Sequence, residues 1–358
     1  MGLESVFHYA LYAMLVGYVV IVGRFIYYSR RLTNAVWLLM AIVSWPLFML
    51  DEWLRMWQLS SLSHLFGLSD VFAVLLISAI YRVVLPKLVA APKWRWWLWG
   101  PLVVTLLLQS TVLLLPSVEK SAWLVSSPIG APLILWPAYI TPLLTGFSVL
   151  LLGILITEQL QMYHRYLSYQ VVDPHDFRIR KVTGIMGSTV GVAFMGILLV
   201  TAATFGFFSI PYWQSLFHFI LGLPLLVALF CLTKPLKTSP SPLDYQRLNA
   251  GGLTSAEMCA AIARAERTMI DSKAYKQLGL TLTDFCRRAE LDATSLALAL
   301  QVERKQNFRR FVYQYRLDYA KKVLLRTDTN IANVAKRLGL NSDKFLGEVM
   351  VKHFKNNQ

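Results

Sequence analysis

The chain has 358 residues, of which 56% are hydrophobic, and its formal net charge is +15. Its mean hydropathy of +0.50 is too high for an ordinary soluble domain, so the composition excludes a protein that is water-soluble throughout. The three cysteines lie late in the chain without C-x-x-C spacing, which predicts neither a disulfide framework nor a zinc site.

The positive charge is concentrated in the last third of the chain. Residues 1–233 hold 13 Lys or Arg against 8 Asp or Glu, whereas residues 234–358 hold 22 against 12. A basic C-terminal part suits a polyanionic partner, although basic residues beside a membrane also face anionic lipid. No basic region precedes the first apolar stretch, so we expect no cleaved signal peptide.

Seven apolar stretches predict transmembrane helices, because a helix needs about 20 apolar residues to cross a bilayer. They are residues 6–28, 33–50, 63–83, 96–116, 132–157, 182–208 and 211–232. Loops one, three and five carry eleven Lys or Arg, and the other three loops carry only Arg55 and Lys120. By the positive-inside rule, we expect a multi-pass protein of the bacterial inner membrane with its N-terminus outside and its C-terminus in the cytoplasm.

Helix-breaking and small residues mark the fifth and sixth stretches. Four prolines between residues 128 and 142 predict a kinked or broken helix there. Gly187 and Gly191 form a GxxxG pair, which allows close helix approach. For this pair, packing inside the bundle is favoured over a dimer face.

One layer of polar residues recurs at a common depth in the outer half of the predicted bundle. Asp70, Gln109 and His218 lie about seven residues from the outer ends of their helices. Intramembrane ionisable groups are costly and usually functional. We therefore predict a periplasm-facing sensor pocket for a small molecule or protons, formed by Asp51, Glu52, Asp70, Gln109, Tyr139 and His218. The alternative is that these groups only hydrogen-bond to one another.

Two segments connect the predicted bundle to the C-terminal part. The fifth loop contains Asp173, His175 and Asp176, but their spacing is not that of metal ligands, so we expect a solvated loop touching the tail. Residues 233–252 are rich in Pro, Ser and Gly and predict a linker. Thr254 and Glu257 form a capping-box pattern that starts a helix within residues 253–279. This helix packs on the following helices or pairs with a second copy.

Residues 280–358 have the pattern of two helix-turn-helix units joined by a long helix. Thr281 precedes the first short helix, which breaks at residues 291–292 before a helix with Leu296 and Leu300 inward. The long helix starts near residue 307 and carries Arg316 on its polar side. The second unit has a short helix after Thr329 that stops at residue 339, and another begins at residue 341 or 342.

The residue series in this region is specific. N-F-x-x-F-x-x-x-Y-R-x-x-x-A-K-x-x-L-L reads Asn307, Phe308, Phe311, Tyr315, Arg316, Ala320, Lys321, Leu324 and Leu325. T-x-x-x-I-x-x-V-A-x-x-x-G follows as Thr327, Ile331, Val334, Ala335 and Gly339. Over residues 280–354, about a fifth of the chain, this resembles the AraC/XylS transcription regulators.

The resemblance implies that each unit offers its second helix, 293–301 or 342–353, to a major groove of promoter DNA. The implied base-reading residues are Thr294, Ser295, Ala297, Leu298 and Gln301 in the first helix, with Ser342, Asp343, Lys344 and Gly347 in the second. The implied phosphate contacts are Arg287, Arg288, Arg304, Lys305, Lys336, Arg337 and Lys352.

The chain departs from the family pattern within both recognition helices. Ala297 and Leu298 stand where Arg or Gln is common, and neither side chain can hydrogen-bond to guanine. Glu348 and Val351 stand where Arg and Lys are common. Sequence reading is therefore expected to be weak, or to depend on the basic face and on DNA shape.

The expected fold class is all-α: a seven-transmembrane helix bundle followed by a cytoplasmic AraC-type domain with two helix-turn-helix units. We expect residues 1–232 to be the sensor domain, 233–252 the linker, 253–279 a connecting helix and 280–358 the DNA-binding domain. This organisation favours a one-component transcription regulator in the lipid bilayer, working as a homodimer on DNA and with RNA polymerase if it is an activator.

Two other classes of function were weighed. A transporter- or receptor-like membrane protein could carry a degenerate tail that binds a protein partner, but no two-fold internal repeat is visible. A membrane enzyme is disfavoured because H-E-x-x-H, G-x-S-x-G and phosphate-binding glycine loops are missing from the sequence. We expect no catalytic residue, cofactor or metal.

Overall fold

The computed structural model describes residues 3–90, 92, 96–207, 210–245, 253–326 and 338. Within these ranges the chain is all-helical, with two isolated β-bridges and no β-strand. The helices are α1 Leu3–Tyr28, α2 Ala35–Phe48, α3 Leu50–Met56, α4 Ser69–Leu88, α5 Gly100–Leu113, α6 Ser117–Val125, α7 Trp136–Tyr166, α8 Arg180–Thr204, α9 Trp213–Leu232, α10 Ser255–Asp271, α11 Leu282–Ala289, α12 Ala293–Val302 and α13 Phe308–Arg326.

Seven helical stretches of the described residues are long and apolar enough to cross a membrane. They are Ser5–Arg31, Ala35–Met56, Ser69–Leu88, Trp96–Leu113, Trp136–Tyr169, Arg180–Thr204 and Trp213–Leu232. The prediction of seven such helices is confirmed, because hydropathy and length decide it together. The fifth begins only at Trp136, so two of the four predicted helix breakers precede it and Pro142 lies inside it.

The chain divides into two compact units. The first comprises Met1–Pro86, Pro92–Gln161 and Ile179–Leu236, and the second comprises Lys87–Ala91, Met162–Arg178 and Lys237–Gln358. The sequence predicted that the membrane domain comprises residues 1–232. The two short segments Lys87–Ala91 and Met162–Arg178, which belong to the second unit, lie within that range. Residues 327–337 and 339–358, which hold the second predicted helix-turn-helix, lie outside the described residues.

Glycines allow close helix contacts at two places in the first unit. A Cβ added at Gly146 would lie 2.8 Å from Ile197 Cγ1, and one at Gly196 would lie 3.2 Å from the Phe217 ring. In contrast, a Cβ added at Gly187 or Gly191 would meet no atom of the described residues within 4 Å. The prediction that this pair packs inside the bundle is therefore wrong, because it faces outward on α8.

Capping residues set the helix starts in the second unit. Thr254 and Glu257 form the predicted capping box at the start of α10, and the Thr281 side chain accepts from the Asp284 N–H at the start of α11. Asp292 caps α12 in the same way. The core of this unit joins α10, α11, α12 and α13 through Phe285, Phe308 and their neighbours. Helix α10 thus packs on the following helices, one of the two arrangements left open by the sequence.

The segment Met162–Arg178 is built into this core. Val172 is fully buried among the core residues of α10 to α13. Its N–H donates to the Leu280 carbonyl at 3.1 Å, and the Leu282 N–H donates to the Gln170 carbonyl at 2.7 Å. The expected contact of this loop with the tail is confirmed, and His175 and Asp176 are exposed as expected. The rest of the segment is not a solvated loop, because backbone pairing and burial fix it to the start of α11.

A buried ion pair fastens the same segment to α13. The guanidinium of Arg316 is inaccessible to solvent and donates to both carboxylate oxygens of Asp173, at 3.2 and 3.3 Å. It also donates to the carbonyls of Tyr275 and Gln277, each at 2.8 Å. Asp173 in turn accepts from the Gly279 N–H at 2.8 Å. The prediction that Arg316 lies on the polar side of its helix is therefore wrong, because its side chain is fully buried within the unit.

The predicted linker is also held in place up to residue 245. The Ser241 N–H donates to the Leu88 carbonyl at 2.8 Å, and the Ser241 carbonyl accepts from the Ala90 N–H at 2.9 Å. The Tyr245 ring lies 5.1 Å from Tyr166 and 4.8 Å from Tyr169. The segments Lys87–Ala91 and Met162–Arg178 thus both contact residues that follow the seventh apolar helix.

We expect the substitution Asp173→Asn to lower the free energy of unfolding of the second unit by about 3 kcal/mol, because it leaves the buried Arg316 charge unpaired. Hydrogen exchange of the α13 backbone amides in the full chain would measure this. Asp176→Asn is the matched control, since the Asp176 side chain is 58% exposed in the same segment. Equal exchange rates in the two variants would contradict the role given to the ion pair.

Candidate functional site

Five of the six predicted sensor residues lie at one end of the first unit. Asp51 and Glu52 are in α3, Asp70 is in the first turn of α4, Gln109 is in α5 and His218 is in α9. All five side chains are buried, at 1–5% exposure. Burial of this many polar groups requires hydrogen-bond partners, which the neighbouring residues provide for part of the set.

Glu52 connects three helices. Its Oε1 lies 3.0 Å from the Nδ1 of His218, which carries the hydrogen because an ionised carboxylate only accepts. Both Glu52 oxygens also accept from Arg55 Nη1, at 3.0 and 2.9 Å. Arg55 then donates to the hydroxyl of Ser215 and, through Nε, to the Leu124 carbonyl at 2.7 Å. The ion pair thereby ties α3 to α6 and α9.

Asp51 holds the connection between α3 and α4. Its two oxygens accept from the Gly67 N–H at 3.1 Å and from the Ser69 hydroxyl at 2.7 Å. Gly67 has φ +90°, and a Cβ there would lie 2.6 Å from Val112, so only glycine fits this turn.

Lys120 of α6 is a buried cation near this cluster. Its Nζ donates to the carbonyls of Leu113 at 2.7 Å and His64 at 3.2 Å. Burial lowers the pKa of the Lys120 ammonium, and the charge of Asp51 opposes this change.

The cavity that these residues share is small. Asp51, Asp70, Gln109 and His218 line it together with Gln214, and its volume is about 20 Å³. That space holds roughly one water molecule, so Asp51, Asp70, Gln109 and His218 do not form a pocket for an organic ligand. The alternative interpretation, in which polar groups bond to one another, describes the Glu52–His218 contact.

Tyr139 is not part of this cavity. Its ring stacks on Trp213 with 5.6 Å between centroids, and its hydroxyl lies 3.4 Å from the Pro128 carbonyl and 3.3 Å from the Gly130 N–H. Tyr139 thus contacts the segment that precedes α7. The depth of a residue along its helix does not predict such a contact.

A ligand-sized cavity of about 510 Å³ lies on the other side of Glu52 in the first unit. Its lining combines the Glu52–Arg55 pair with Ser215, His8 and an apolar wall. The wall residues include Phe7, Leu11, Leu54, Leu59, Leu124, Tyr212 and Phe219. In the sequence Arg55 is only a loop charge, and no spacing pattern links α1, α3, α6 and α9, so this site could not be predicted.

In the second unit, the predicted base-reading residues of α12 have unequal exposure. Thr294 is exposed, Gln301 is half-buried, and Ser295 donates through its N–H to the Asp292 cap at 2.8 Å. Ala297 and Leu298, which lie between them, are each only 6% exposed. Leu298 packs with Met258 and Ile262 of α10, so the middle of the predicted reading face is covered.

The predicted phosphate-contacting residues of this region lie at the surface. Arg287, Arg288, Arg304 and Lys305 are exposed, although Arg304 pairs with Glu266 at 2.9 Å and Arg287 with Asp284 at 3.3 Å. The remaining predicted DNA contacts lie outside the described residues; they are Lys336, Arg337, Ser342, Asp343, Lys344, Gly347 and Lys352. Among the residues the structure describes, no group of three His, Cys, Asp or Glu is arranged to hold a metal.

Comparison of the chain with protein-family models, curated proteins and solved structures found no match. The resemblance to AraC/XylS regulators therefore depends on the residues quoted from the sequence and remains a prediction.

We expect Glu52→Gln to lower the free energy of unfolding of the first unit by roughly 3 kcal/mol, because Arg55 and His218 both lose a charged acceptor in a buried place. Thermal unfolding of the purified full chain would measure the loss. Glu119→Gln in the neighbouring α6 is the control, since Glu119 is exposed. If both variants melt alike, the buried pair is not what holds these helices.

Proposed function

We propose that this protein is a membrane-embedded one-component transcription regulator. The observation that carries the proposal is the joining, in one chain, of seven membrane-length apolar helices to a basic unit with a short helix pair, α11 and α12, and a long helix α13. This is the element order that the AraC/XylS resemblance implies for the first helix-turn-helix and its connecting helix. The loop charges support placement in the bacterial inner membrane with the basic unit in the cytoplasm.

The exposed residues of the second unit support contact with promoter DNA. Arg287, Arg288 and Lys305 offer positive charge to phosphates, while Thr294 and Gln301 are accessible on α12. Because Ala297 and Leu298 are buried, few side chains of α12 remain for reading bases. Affinity would then depend mainly on phosphate contacts, on DNA shape and on the pairing of two copies.

The segment Met162–Arg178 is the route by which a signal would reach the DNA-binding part. It begins with the last five residues of α7, whose preceding residues belong to the first unit, and it holds α13 through the Asp173–Arg316 pair. A packed core has discrete arrangements, so a shift of this segment would repack the second unit rather than deform it gradually. The 510 Å³ cavity beside Glu52 is the proposed place for a small-molecule signal.

The burial of Ala297 and Leu298 favours a second candidate function. A recognition helix whose middle is covered by α10 is less suited to a major groove than to holding the unit together. In this alternative, the protein is a receptor- or transporter-like membrane protein whose tail binds a protein partner. Binding of DNA by the purified chain decides between the two.

We expect the full chain in nanodiscs to bind its promoter DNA with an affinity that falls steeply as salt rises, at a log–log slope of about −0.9 per phosphate contacted. The full chain is needed because the second unit includes residues 162–178. Arg288→Ala should weaken binding to all sequences and reduce the slope by about one. Fluorescence anisotropy across a salt series measures both quantities.

Arg264→Ala is the control for this experiment, because Arg264 is an exposed arginine of α10 paired with Glu290. It should leave affinity and slope unchanged. Absence of DNA binding by the wild type at low salt would rule out the regulator and leave the protein-partner alternative.

A further inference from the structure

Three oxygen atoms at the small cavity of the first unit have no hydrogen-bond donor. They are Asp70 Oδ1, Gln109 Oε1 and Gln214 Oε1, and none of them bonds to a described residue. The three residues are 5%, 1% and 8% exposed and come from α4, α5 and α9. All three line the same cavity of about 20 Å³. A buried acceptor without a donor is costly, so the three together indicate an occupant.

A water molecule alone does not satisfy this arrangement. It has two hydrogens to donate, whereas three acceptors face the cavity. The other cavity residues do not supply the missing donor where it is needed. None of the three oxygens accepts from a described residue: His218 Nδ1 donates to Glu52, and the Thr141 hydroxyl of the same cavity donates to the Pro137 carbonyl.

The charges of the surrounding cluster also favour a cation. Three buried carboxylates, Asp51, Glu52 and Asp70, lie within it. Among the described residues, the permanent cations beside them are Arg55, which is bound to Glu52, and Lys120, which is near Asp51. Asp70 has no permanent cation of its own among them, and the charge nearest to it is that of His218 when its imidazole is protonated. An uncompensated carboxylate in this place carries a large desolvation cost.

We propose that Asp70, Gln109 and Gln214 bind one sodium ion. Hard cations prefer carboxylate and amide oxygens, and all three free atoms are of that kind. A single unpaired carboxylate matches a monovalent rather than a divalent ion. The cavity of about 20 Å³ has room for one dehydrated monovalent cation, since a sodium ion is no larger than the water molecule that this space would hold. The ion joins α4, α5 and α9, and this role is independent of DNA binding.

Equilibrium binding of radioactive ²²Na⁺ to the purified full chain tests the site. We expect one saturable site per chain, from which unlabelled sodium displaces the label and choline does not. Asp70→Asn should weaken sodium binding at least tenfold, and Gln109→Leu should weaken it several-fold. Glu158→Gln, which removes an exposed carboxylate from α7, is the matched control and should bind sodium like the wild type.

A second measurement covers the case in which Asp70→Asn does not fold. The melting temperature of the wild type should rise with sodium by roughly 2–4 °C relative to choline at equal ionic strength, and Gln214→Met should lose this rise. The proposal is overturned if no saturable ²²Na⁺ binding is found, which would mean that water alone fills the cavity. It is also overturned if the cavity variants bind sodium as the wild type and Glu158→Gln do, or if choline stabilises equally.

Discussion

The second unit depends on one buried charge. Arg316 has no exposed surface, and its guanidinium is surrounded by two carbonyls and the Asp173 carboxylate. A buried guanidinium is stable only when its N–H groups have acceptors and its charge has a counter-ion. Asp173 must therefore occupy a defined position relative to α13. Because Asp173 reaches this place with Val172 on the same segment, charge pairing and apolar packing act at one site. The fold of the unit is therefore inseparable from that segment.

The first unit handles buried polarity differently. There the charges are spread over α3, α4, α6 and α9, and Glu52 is shared between Arg55 and His218. Through Asp51, Glu52 and Arg55, polar contacts connect α3 to α4, α6 and α9 at one end of the unit. The unit also contains two cavities, one lined by Asp51 and His218 that is too small for any organic molecule, and one lined by Glu52 that is large enough for such a molecule.

Much of this could be predicted where local sequence decides the structure. Hydropathy and length give the seven apolar helices, and Thr254 with Glu257 gives the start of α10. Counting depth along helices was enough to group Asp70, Gln109 and His218, which line one cavity. The pattern could not reveal that Arg316 is buried, since helical periodicity does not show a segment 140 or so residues earlier in the chain. For the same reason, the pattern could not predict that α10 packs over Leu298 or that the Tyr139 ring stacks on Trp213.

The second unit is assembled from three separate stretches of chain, Lys87–Ala91, Met162–Arg178 and Lys237–Gln358. During synthesis the ribosome delivers the first two well before the third. Val172 and Asp173 therefore lack their native contacts until α13 has been translated. Folding of this unit can therefore finish only after the apolar helices have been made, which sets the order of biogenesis and gives chaperones a defined interval in which to act.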